Sequence, residues 1–192
     1  MHYTLPKIFI FLDHYENFIF KNNNINMGII YRNYNAQKRE TELIKIAGAC
    51  RANRIKLFVS NDIKLTIKVK ADGIYIPSFN KTKKFLNLEN KNIMILGSAH
   101  NQKEIKIKML QKCNAIFLSP AFYVEKSKSF LGFHRFNYLA SRNKIDVLAL
   151  GGISERNFNK LKFLNIKGFG GIQMFKKKTG LKKAGFLKNN FF

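Results

Sequence analysis

The chain has 192 residues and a formal net charge of +24, and 46% of its residues are apolar, including 19 Phe and 7 Tyr. This apolar share excludes an intrinsically disordered chain and is sufficient for the core of one domain. The basic surface predicts attraction to polyanions, either nucleic acids bound non-specifically or phosphorylated metabolites. The first apolar run, residues 8–12, is too short for a signal peptide or a membrane span, so we expect a cytoplasmic protein that binds no membrane.

Eight short apolar runs rich in Ile, Phe and Val recur along the chain. Continuous apolar runs without polar alternation indicate strands that are buried on both faces, as in a parallel sheet. The predicted strands cover residues 7–12, 27–31, 55–59, 73–76, 93–96, 115–118, 146–150 and 168–174.

Polar segments with helical periodicity lie between most of these strands. They cover residues 37–53, 62–70, 101–112, 134–142 and 155–164. Strands that alternate with helices predict an α/β fold, and eight of them predict a (β/α)₈ TIM barrel. Because about 250 residues is typical of that fold, we expect a trimmed barrel in which the first, fourth and last helices are short or missing. An open, doubly wound sheet of five or six strands is the competing prediction.

The chain contains no internal repeat and no linker that would divide it into two domains. We therefore predict a single barrel domain over residues 1–178. A basic C-terminal tail follows over residues 179–192.

The residues that follow the strands carry most of the chemically useful side chains. In a parallel barrel these positions converge on one rim, which is where barrel active sites lie. The candidates are Arg32, Asn61, Asp62, Ser98, His100, Lys126, Lys128, Gly151, Gly152 and Gly171. In so basic a chain, Lys126 and Lys128 are either diphosphate ligands or ordinary surface lysines.

Three of these candidate sites have both a functional and a structural interpretation. Asp62 is placed to coordinate Mg²⁺ or to cap the helix that follows it. Gly151 and Gly152, ahead of a predicted helix, form either a phosphate cradle or a tight turn. His100 is either a proton shuttle or a hydrogen-bonded structural residue.

Six short strings at the strand ends form a recognisable set. They are Val-Ser-Asn-Asp at 59–62, Ala-Asp-Gly-Ile-Tyr at 71–75, Gly-Ser-Ala-His at 97–100, Ser-Pro-Ala-Phe at 119–122, Ala-Leu-Gly-Gly-Ile at 149–153 and Gly-Phe-Gly-Gly-Ile at 168–172. Together they resemble the motifs of the thiamine-phosphate synthase and TenI family, over about residues 27–175. The resemblance implies a TIM barrel and a transferase that couples a hydroxymethylpyrimidine diphosphate to a thiazole phosphate. Pyrophosphate is released, with Mg²⁺ as the cofactor.

The resemblance also implies roles for individual residues. Asp62 would bind Mg²⁺, and Lys126 or Lys128 would contact the diphosphate. The remaining residues would bind the two substrates: Arg32, Asn61 and Ser98 the pyrimidine, and Gly151, Gly152, Gly171, Ile172 and Gln173 the thiazole phosphate.

The chain departs from the family's motifs at several positions. Ile30 and Tyr34 replace a Gln and a Lys on the second strand, and Tyr75 replaces a His. Asn80 replaces the second carboxylate of the metal site. One carboxylate instead of two weakens a Mg²⁺ site, because Mg²⁺ is held by one or two carboxylates together with substrate phosphates.

Three functions therefore stay open. The first is a divergent thiamine-phosphate synthase, whose partners are a phosphorylated pyrimidine and a phosphorylated thiazole. The second is a TenI-like thiazole tautomerase, in which His100 or His134 moves a proton, or a non-catalytic barrel that binds a phosphorylated metabolite. The third is a basic protein that binds nucleic acid on a barrel scaffold, which the net charge favours.

Overall fold

Eight parallel strands, hydrogen-bonded in chain order, form the centre of the fold. The computed structural model describes residues 4–20, 26–34, 37–125 and 129–171. The strands are β1 (Ile8–Leu12), β2 (Met27–Tyr31), β3 (Lys56–Ser60), β4 (Gly73–Ile76), β5 (Met94–Ala99), β6 (Ala115–Leu118), β7 (Asp146–Leu150) and β8 (Gly168–Gly171). β8 pairs with β1, at Ile8 with Phe169 and at Ile10 with Gly171, and this pairing closes the barrel. The predicted TIM barrel is therefore confirmed, and the alternative of an open sheet is wrong.

Two strands extend further toward the carboxyl end of the barrel than the apolar runs predicted. β3 ends at Ser60 and β5 ends at Ala99. An apolar pattern stops at the first polar side chain, whereas the backbone ladder continues past it, as at Ser60, which pairs with Tyr75. The extra residues bring polar side chains to the mouth of the barrel. Residues 172–174, predicted to end β8, lie outside the described residues.

The helices in the first and fourth connections are short, as predicted. The α-helices around the barrel are α1 (Asn17–Phe20), α2 (Arg39–Ala52), α3 (Ile63–Lys68), α4 (Gln102–Leu110) and α5 (Gly132–Ser141). The first connection holds only the single turn of α1, and the fourth holds a 3₁₀ helix, Leu86–Lys91. The last predicted helix lies outside the described residues. None of the described helices is long and apolar enough to cross a membrane.

The α-helix predicted over residues 155–164 is wrong, because this connection holds a 3₁₀ helix, Phe158–Phe163, after a hydrogen-bonded loop. The Asn157 side chain donates to the Gly152 carbonyl at 2.7 Å and accepts from the Ser154 amide at 2.9 Å. Such local hydrogen bonds between a side chain and the backbone compete with those of a helix. They explain why the helical periodicity of this segment does not produce an α-helix.

Phenylalanine rings fill the interior of the barrel. Phe9, Phe11, Phe58 and Phe117 are buried there, and three pairs of them meet edge to face with ring centroids 5.1 to 5.5 Å apart. This geometry places the positive edge of one ring against the negative face of the next, which is favourable. The interior is therefore a packed core of aromatic rings together with aliphatic side chains, and polar groups lie at its ends.

Glycines on the facing strands leave room for these rings. A Cβ atom at Gly170 would lie 2.9 Å from the Phe117 ring. At Gly73 it would lie 2.5 Å from the Phe58 ring and 2.5 Å from the Met94 carbonyl oxygen. Because a backbone carbonyl inside a strand ladder cannot move aside, Gly73 is required by packing alone.

We expect Gly73→Ala to lower the free energy of unfolding, measured by urea denaturation, by about 1–3 kcal/mol, the usual cost of overpacking a core. Gly48→Ala is the matched control, because Gly48 is exposed on α2 and no atom lies within 4 Å of the position of a Cβ there. It should instead raise the stability by about 0.5–1 kcal/mol through helix propensity. A Gly73→Ala variant as stable as the wild type would contradict this description of the core.

Candidate active site at the carboxyl end of the barrel

Arg32 lies at the barrel mouth, directly after β2, and is paired with Asp13, which follows β1. Its Nε and one terminal nitrogen donate to the two Asp13 carboxylate oxygens at 3.2 and 3.0 Å. Burial disfavours the charged guanidinium, but the hydrogen bonds to Asp13 and the negative charge of Asp13 together outweigh burial and raise the pKa of Arg32. Arg32 is therefore a fixed cation, held 5.9 Å from the centroid of the Phe11 ring.

Tyr75 and Ser98 form the floor of the mouth. Both residues are buried, Tyr75 being only 6% exposed and Ser98 only 5% exposed. Tyr75 also contacts Phe11 and Phe117 edge to face, so its ring belongs to the aromatic core. Burial raises the pKa of Tyr75 to about 12, which keeps the phenol neutral. The structure thus places the predicted Ser98 at the boundary between the aromatic core and the rim.

Asn61 and Asn80 link the loops after β3 and β4. Asn80 Nδ2 donates to Asn61 Oδ1 at 2.5 Å, while Asn80 Oδ1 accepts from the Thr82 amide and hydroxyl at 2.9 Å each. Asn61 has a left-handed backbone, with φ at 59°, a conformation that Asn adopts more readily than most residues. These contacts fix Asn61 at the rim and direct the amide nitrogen of Asn80, not an oxygen, toward it.

Asp62 is the N-cap of α3 and also the partner of Arg39 from α2. Its Oδ1 accepts from the Leu65 amide at 2.9 Å, and its Oδ2 accepts from Arg39 at 3.1 Å. The other terminal nitrogen of Arg39 donates to the Ser60 carbonyl at 2.7 Å. The capping role of Asp62 is therefore observed, and both of its oxygens are engaged by the protein itself.

These residues do not fit the Mg²⁺ site that the family resemblance implied. Asp62 is already neutralised by Arg39, and Asn80 contributes no charge. A cation at Asp62 would have to displace a guanidinium whose side chain is only 17% exposed. Within the described ranges, no three His, Cys, Asp or Glu side chains are grouped so that they could hold a metal ion.

His100 is tied to the start of α4. Its Nδ1 lies 2.8 Å from Glu104 Oε2, and its backbone amide donates to the same oxygen at 2.9 Å. Burial opposes the ionisation of Glu104, but the hydrogen bonds from His100 outweigh it and lower the pKa of this carboxyl. The other ring nitrogen of His100 has no partner among the described residues, and the side chain is 47% exposed. His134, the second histidine considered, is exposed in the first turn of α5.

Gly151 and Gly152 form a tight turn against the loop after β6. Their φ values are 88° and 71°, in the region that favours glycine. A Cβ atom at Gly152 would collide with the carbonyl oxygens of Phe122 and Tyr123. The segment that follows becomes a 3₁₀ helix and not an α-helix, so the predicted cradle lacks its helix N-terminus. The turn is what the structure shows, and phosphate binding by these glycines stays a prediction.

The other predicted phosphate contacts are only partly described. Gly171 ends β8 at the same rim, beside Ile10 of β1. Lys126, Lys128, Ile172 and Gln173 lie outside the described residues, so their contacts stay predictions.

Two rim residues, Arg39 and Tyr34, were not among the predicted site residues. The Tyr34 hydroxyl is 2.8 Å from the Ser60 hydroxyl, and its ring centroid is 5.9 Å from the Arg39 guanidinium. The signal for Arg39 was available in the sequence: it is the first residue of α2, where the helix dipole disfavours a cation. An arginine in that position therefore indicates that its side chain interacts with groups outside the helix, as it does here with Asp62 and Ser60.

A fully buried lysine supports the loop that carries Asn80. The ammonium group of Lys108 donates to the carbonyls of Pro77 and Asn80 and to Gln111 Oε1, at 2.7 to 2.9 Å. None of these three acceptors is charged, and burial lowers the pKa of Lys108 to about 8. Through Asn80, Lys108 positions Asn61.

A cavity of about 530 Å³ lies at the opposite end of the barrel. It is lined by the segments that precede β6, β7 and β8 and by the end of α5. None of the predicted site residues contributes to it. Because active sites of parallel barrels lie at the carboxyl ends of the strands, we assign the candidate site to the rim and not to this cavity.

Comparison with known families shows which family the chain belongs to. The family model described as thiamine monophosphate synthase matches residues 24–175, which include every described rim residue discussed above except Asp13. The chain belongs to this family. The resemblance predicted from the strand-end motifs is thereby confirmed.

Individual members of the thiamine monophosphate synthase family are distant from this chain. The thiamine-phosphate synthase of Hydrogenobaculum sp. (strain Y04AAS1) is 23% identical over 141 residues, which cover 72% of this chain and 66% of that protein. That of Pediococcus pentosaceus is 23% identical over 160 residues, covering 78% and 74%. The solved thiamine phosphate pyrophosphorylase from Pyrococcus furiosus superposes with a TM-score of 0.74 at 17% identity, covering 92% of this chain and 94% of that one. At that identity the superposition shows the shared fold alone.

We expect the contribution of Lys108 to the free energy of unfolding to become more favourable as the pH rises. Between pH 8 and 10.5 the unfolded chain binds a proton at this lysine that the folded protein does not, so raising the pH through this window favours folding. The free energy of unfolding is measured for the wild type and for Lys108→Met at each pH. The difference, wild type minus variant, should rise by up to about 3 kcal/mol between about pH 7.5 and about pH 10.5. Lys106→Met, an exposed lysine of α4, should show no such rise. A difference for Lys108 that stays constant with pH would contradict its burial as described.

Proposed function

We propose that this chain couples a hydroxymethylpyrimidine diphosphate to a thiazole phosphate and releases pyrophosphate, as a divergent enzyme of thiamine biosynthesis. The observation that supports this most is the convergence of Arg32, Asn61, Asp62 and Ser98 on one rim. The family resemblance implied that Arg32, Asn61 and Ser98 bind the pyrimidine substrate. The Mg²⁺ role that it implied for Asp62 does not fit the contacts of Asp62 with Arg39 and Leu65. The relatives named above are thiamine-phosphate synthases, of which this chain spans 66% and 74%.

The proposed reaction develops negative charge on its leaving group. A thiazole ring nitrogen attacks the methylene carbon of the pyrimidine substrate, and a C–N bond forms as the C–O bond to the diphosphate breaks. Pyrophosphate leaves with the bonding electron pair, so cations fixed beside it stabilise the transition state. Arg32 and Arg39, each held by a carboxylate, are such cations. No step is assigned to Mg²⁺, because the described residues do not fit it.

Asn61 and Ser98 bind the pyrimidine substrate in this proposal. Asn61 Oδ1 is occupied by Asn80, so its Nδ2 is the atom that donates to the substrate. Ser98, beside the neutral phenol of Tyr75, provides a hydroxyl at the bottom of the mouth. The residues proposed to bind phosphate groups are Lys126 or Lys128 for the diphosphate, and Gly151, Gly152, Gly171, Ile172 and Gln173 for the thiazole phosphate.

A TenI-like thiazole tautomerase is the second candidate, and the pairing of His100 with Glu104 favours it. The carboxylate fixes one ring nitrogen and leaves the other open at the rim, as a group that moves a proton requires. A barrel that only binds the phosphorylated thiazole is the non-catalytic form of the same candidate. The replacement of the second carboxylate by Asn80 is compatible with both forms.

The extent of the domain and the role of the basic residues are also proposals. We propose that the barrel domain extends over residues 1–178 and that residues 179–192, outside the described residues, form a basic tail. With a net charge of +24, non-specific polyanion binding accompanies the proposed activity.

The proposal predicts a release of pyrophosphate that depends on Asn61. We expect Asn61→Ala to lower kcat/KM for the pyrimidine diphosphate by about ten- to hundredfold, because it removes a hydrogen-bond donor to the substrate. Asn165→Ala is the matched control, since Asn165 is exposed and precedes β8 at the opposite end of the barrel. Its rate of release should equal that of the wild type.

Other outcomes distinguish the three candidate functions. Absence of pyrophosphate release from folded wild-type protein would overturn the synthase proposal. Thiazole tautomerisation that disappears in His100→Ala would support the second candidate. RNA binding that weakens steeply with salt and does not respond to Asn61→Ala would support a nucleic-acid-binding function.

A further inference from the structure

Arg39 is fixed beside Asp62 by two hydrogen bonds and by two tyrosine rings. The two terminal nitrogens donate to Asp62 and to the Ser60 carbonyl, and the ring centroids of Tyr31 and Tyr34 each lie 5.9 Å away. The Nε atom is buried without a hydrogen-bond partner among the described residues. An arginine held in this way against a cost of burial is part of the built site and not a mobile surface cation.

The guanidinium keeps donors available for a ligand. It has five N–H groups, of which one on each terminal nitrogen is used by Asp62 and Ser60. Among the described residues, the second N–H on each terminal nitrogen has no acceptor, and the side chain is 17% exposed. N–H groups on a planar, positively charged guanidinium suit phosphate oxygens as ligands.

The charges around Asp62 balance without a metal ion. Two carboxylates with one Mg²⁺ have a net charge of zero. Here a single carboxylate, Asp62, faces a single guanidinium, Arg39, and the neutral Asn80 replaces the second carboxylate. The loss of one carboxylate and the presence of one arginine therefore form a matched pair of changes.

We propose that Arg39 is a built-in cation that takes the place of the divalent metal beside Asp62, so that phosphorylated ligands bind at this rim without Mg²⁺. This inference rests on the proposed function in one respect, namely that a diphosphate group enters the rim. Asp62 then acts as a positioning residue, which holds the guanidinium from α2 and the first turn of α3 together.

The first experiment uses Mn²⁺ alone as a probe, with the free ion followed by electron paramagnetic resonance. Wild-type protein should leave the Mn²⁺ signal unchanged. The double variant Arg39→Gln/Asn80→Asp should reduce it, with an affinity at least about tenfold higher, because it removes the competing cation and restores a second carboxylate. Mn²⁺ binding by the wild type that Asp62→Asn abolishes would overturn the proposal.

The second experiment titrates inorganic pyrophosphate into the protein by calorimetry, in the presence of EDTA. We expect wild type to bind, and Arg39→Gln to bind about ten- to hundredfold more weakly, since a charge-assisted hydrogen bond is lost. Arg51→Gln is the matched control, because Arg51 lies in the last turn of the same helix and donates to the Val69 carbonyl, away from Asp62. It should bind like the wild type.

The measurements on the wild-type protein test the inference whether or not any variant folds. Pyrophosphate binding that is absent in EDTA and appears when Mg²⁺ is added would overturn the inference, as would no binding in either buffer. Metal-free binding together with a failed coupling assay would refute the proposed synthase and leave the inference standing. Coupling that requires added Mg²⁺ would support the proposed synthase and overturn the inference that Arg39 takes the place of the metal.

Discussion

The packing of phenylalanine rings inside the barrel is the constraint on which the rest of the structure depends. Phe9, Phe58 and Phe117 fill the interior so completely that the facing strands carry glycine where a Cβ would collide. No polar group can be placed among these rings without losing its hydrogen bonds to water. Polar side chains are therefore pushed to the ends of the strands, where Tyr75 and Ser98 form the boundary.

Carboxylates at the rim serve mainly to hold other groups in place. The chain has only 11 acidic residues against 35 Lys and Arg, yet four of the acidic residues lie here and each has a defined partner. The four pairs are Asp13 with Arg32, Glu42 with the Tyr31 hydroxyl, Asp62 with Arg39, and Glu104 with His100. Cations and donors fixed in this way need no reorganisation when a negative ligand arrives, which is the property that electrostatic catalysis requires.

Helices are shortened in some connections of the barrel and retained in others. The connections reduced to one turn or to a 3₁₀ helix are those after β1, β4 and β7. Three helices keep their length, and two of them carry residues of the site: α2 through Arg39, and α4 through Glu104 and Lys108. The third, α5, covers the barrel without contributing to the described site. The shorter α3 is retained with Asp62 as its cap. A chain of 192 residues can thus keep a complete rim while losing helical cover elsewhere.

The sequence by itself was enough to predict the barrel and the family, both of which are confirmed. Eight apolar runs that alternate with helical segments are a local pattern, which is visible in the sequence. Motifs such as Asn61-Asp62 are short strings, which can be recognised without a structure. It did not determine that Asp62 is neutralised by Arg39, a residue 23 positions away, nor that Asn80 is held by a lysine 28 positions further on. It also misassigned the segment after Gly152, where one asparagine side chain redirects the backbone. Ion pairs between loops form where the closure of the barrel brings the ends of different strands together. Which charged side chains meet there is decided only by the tertiary structure.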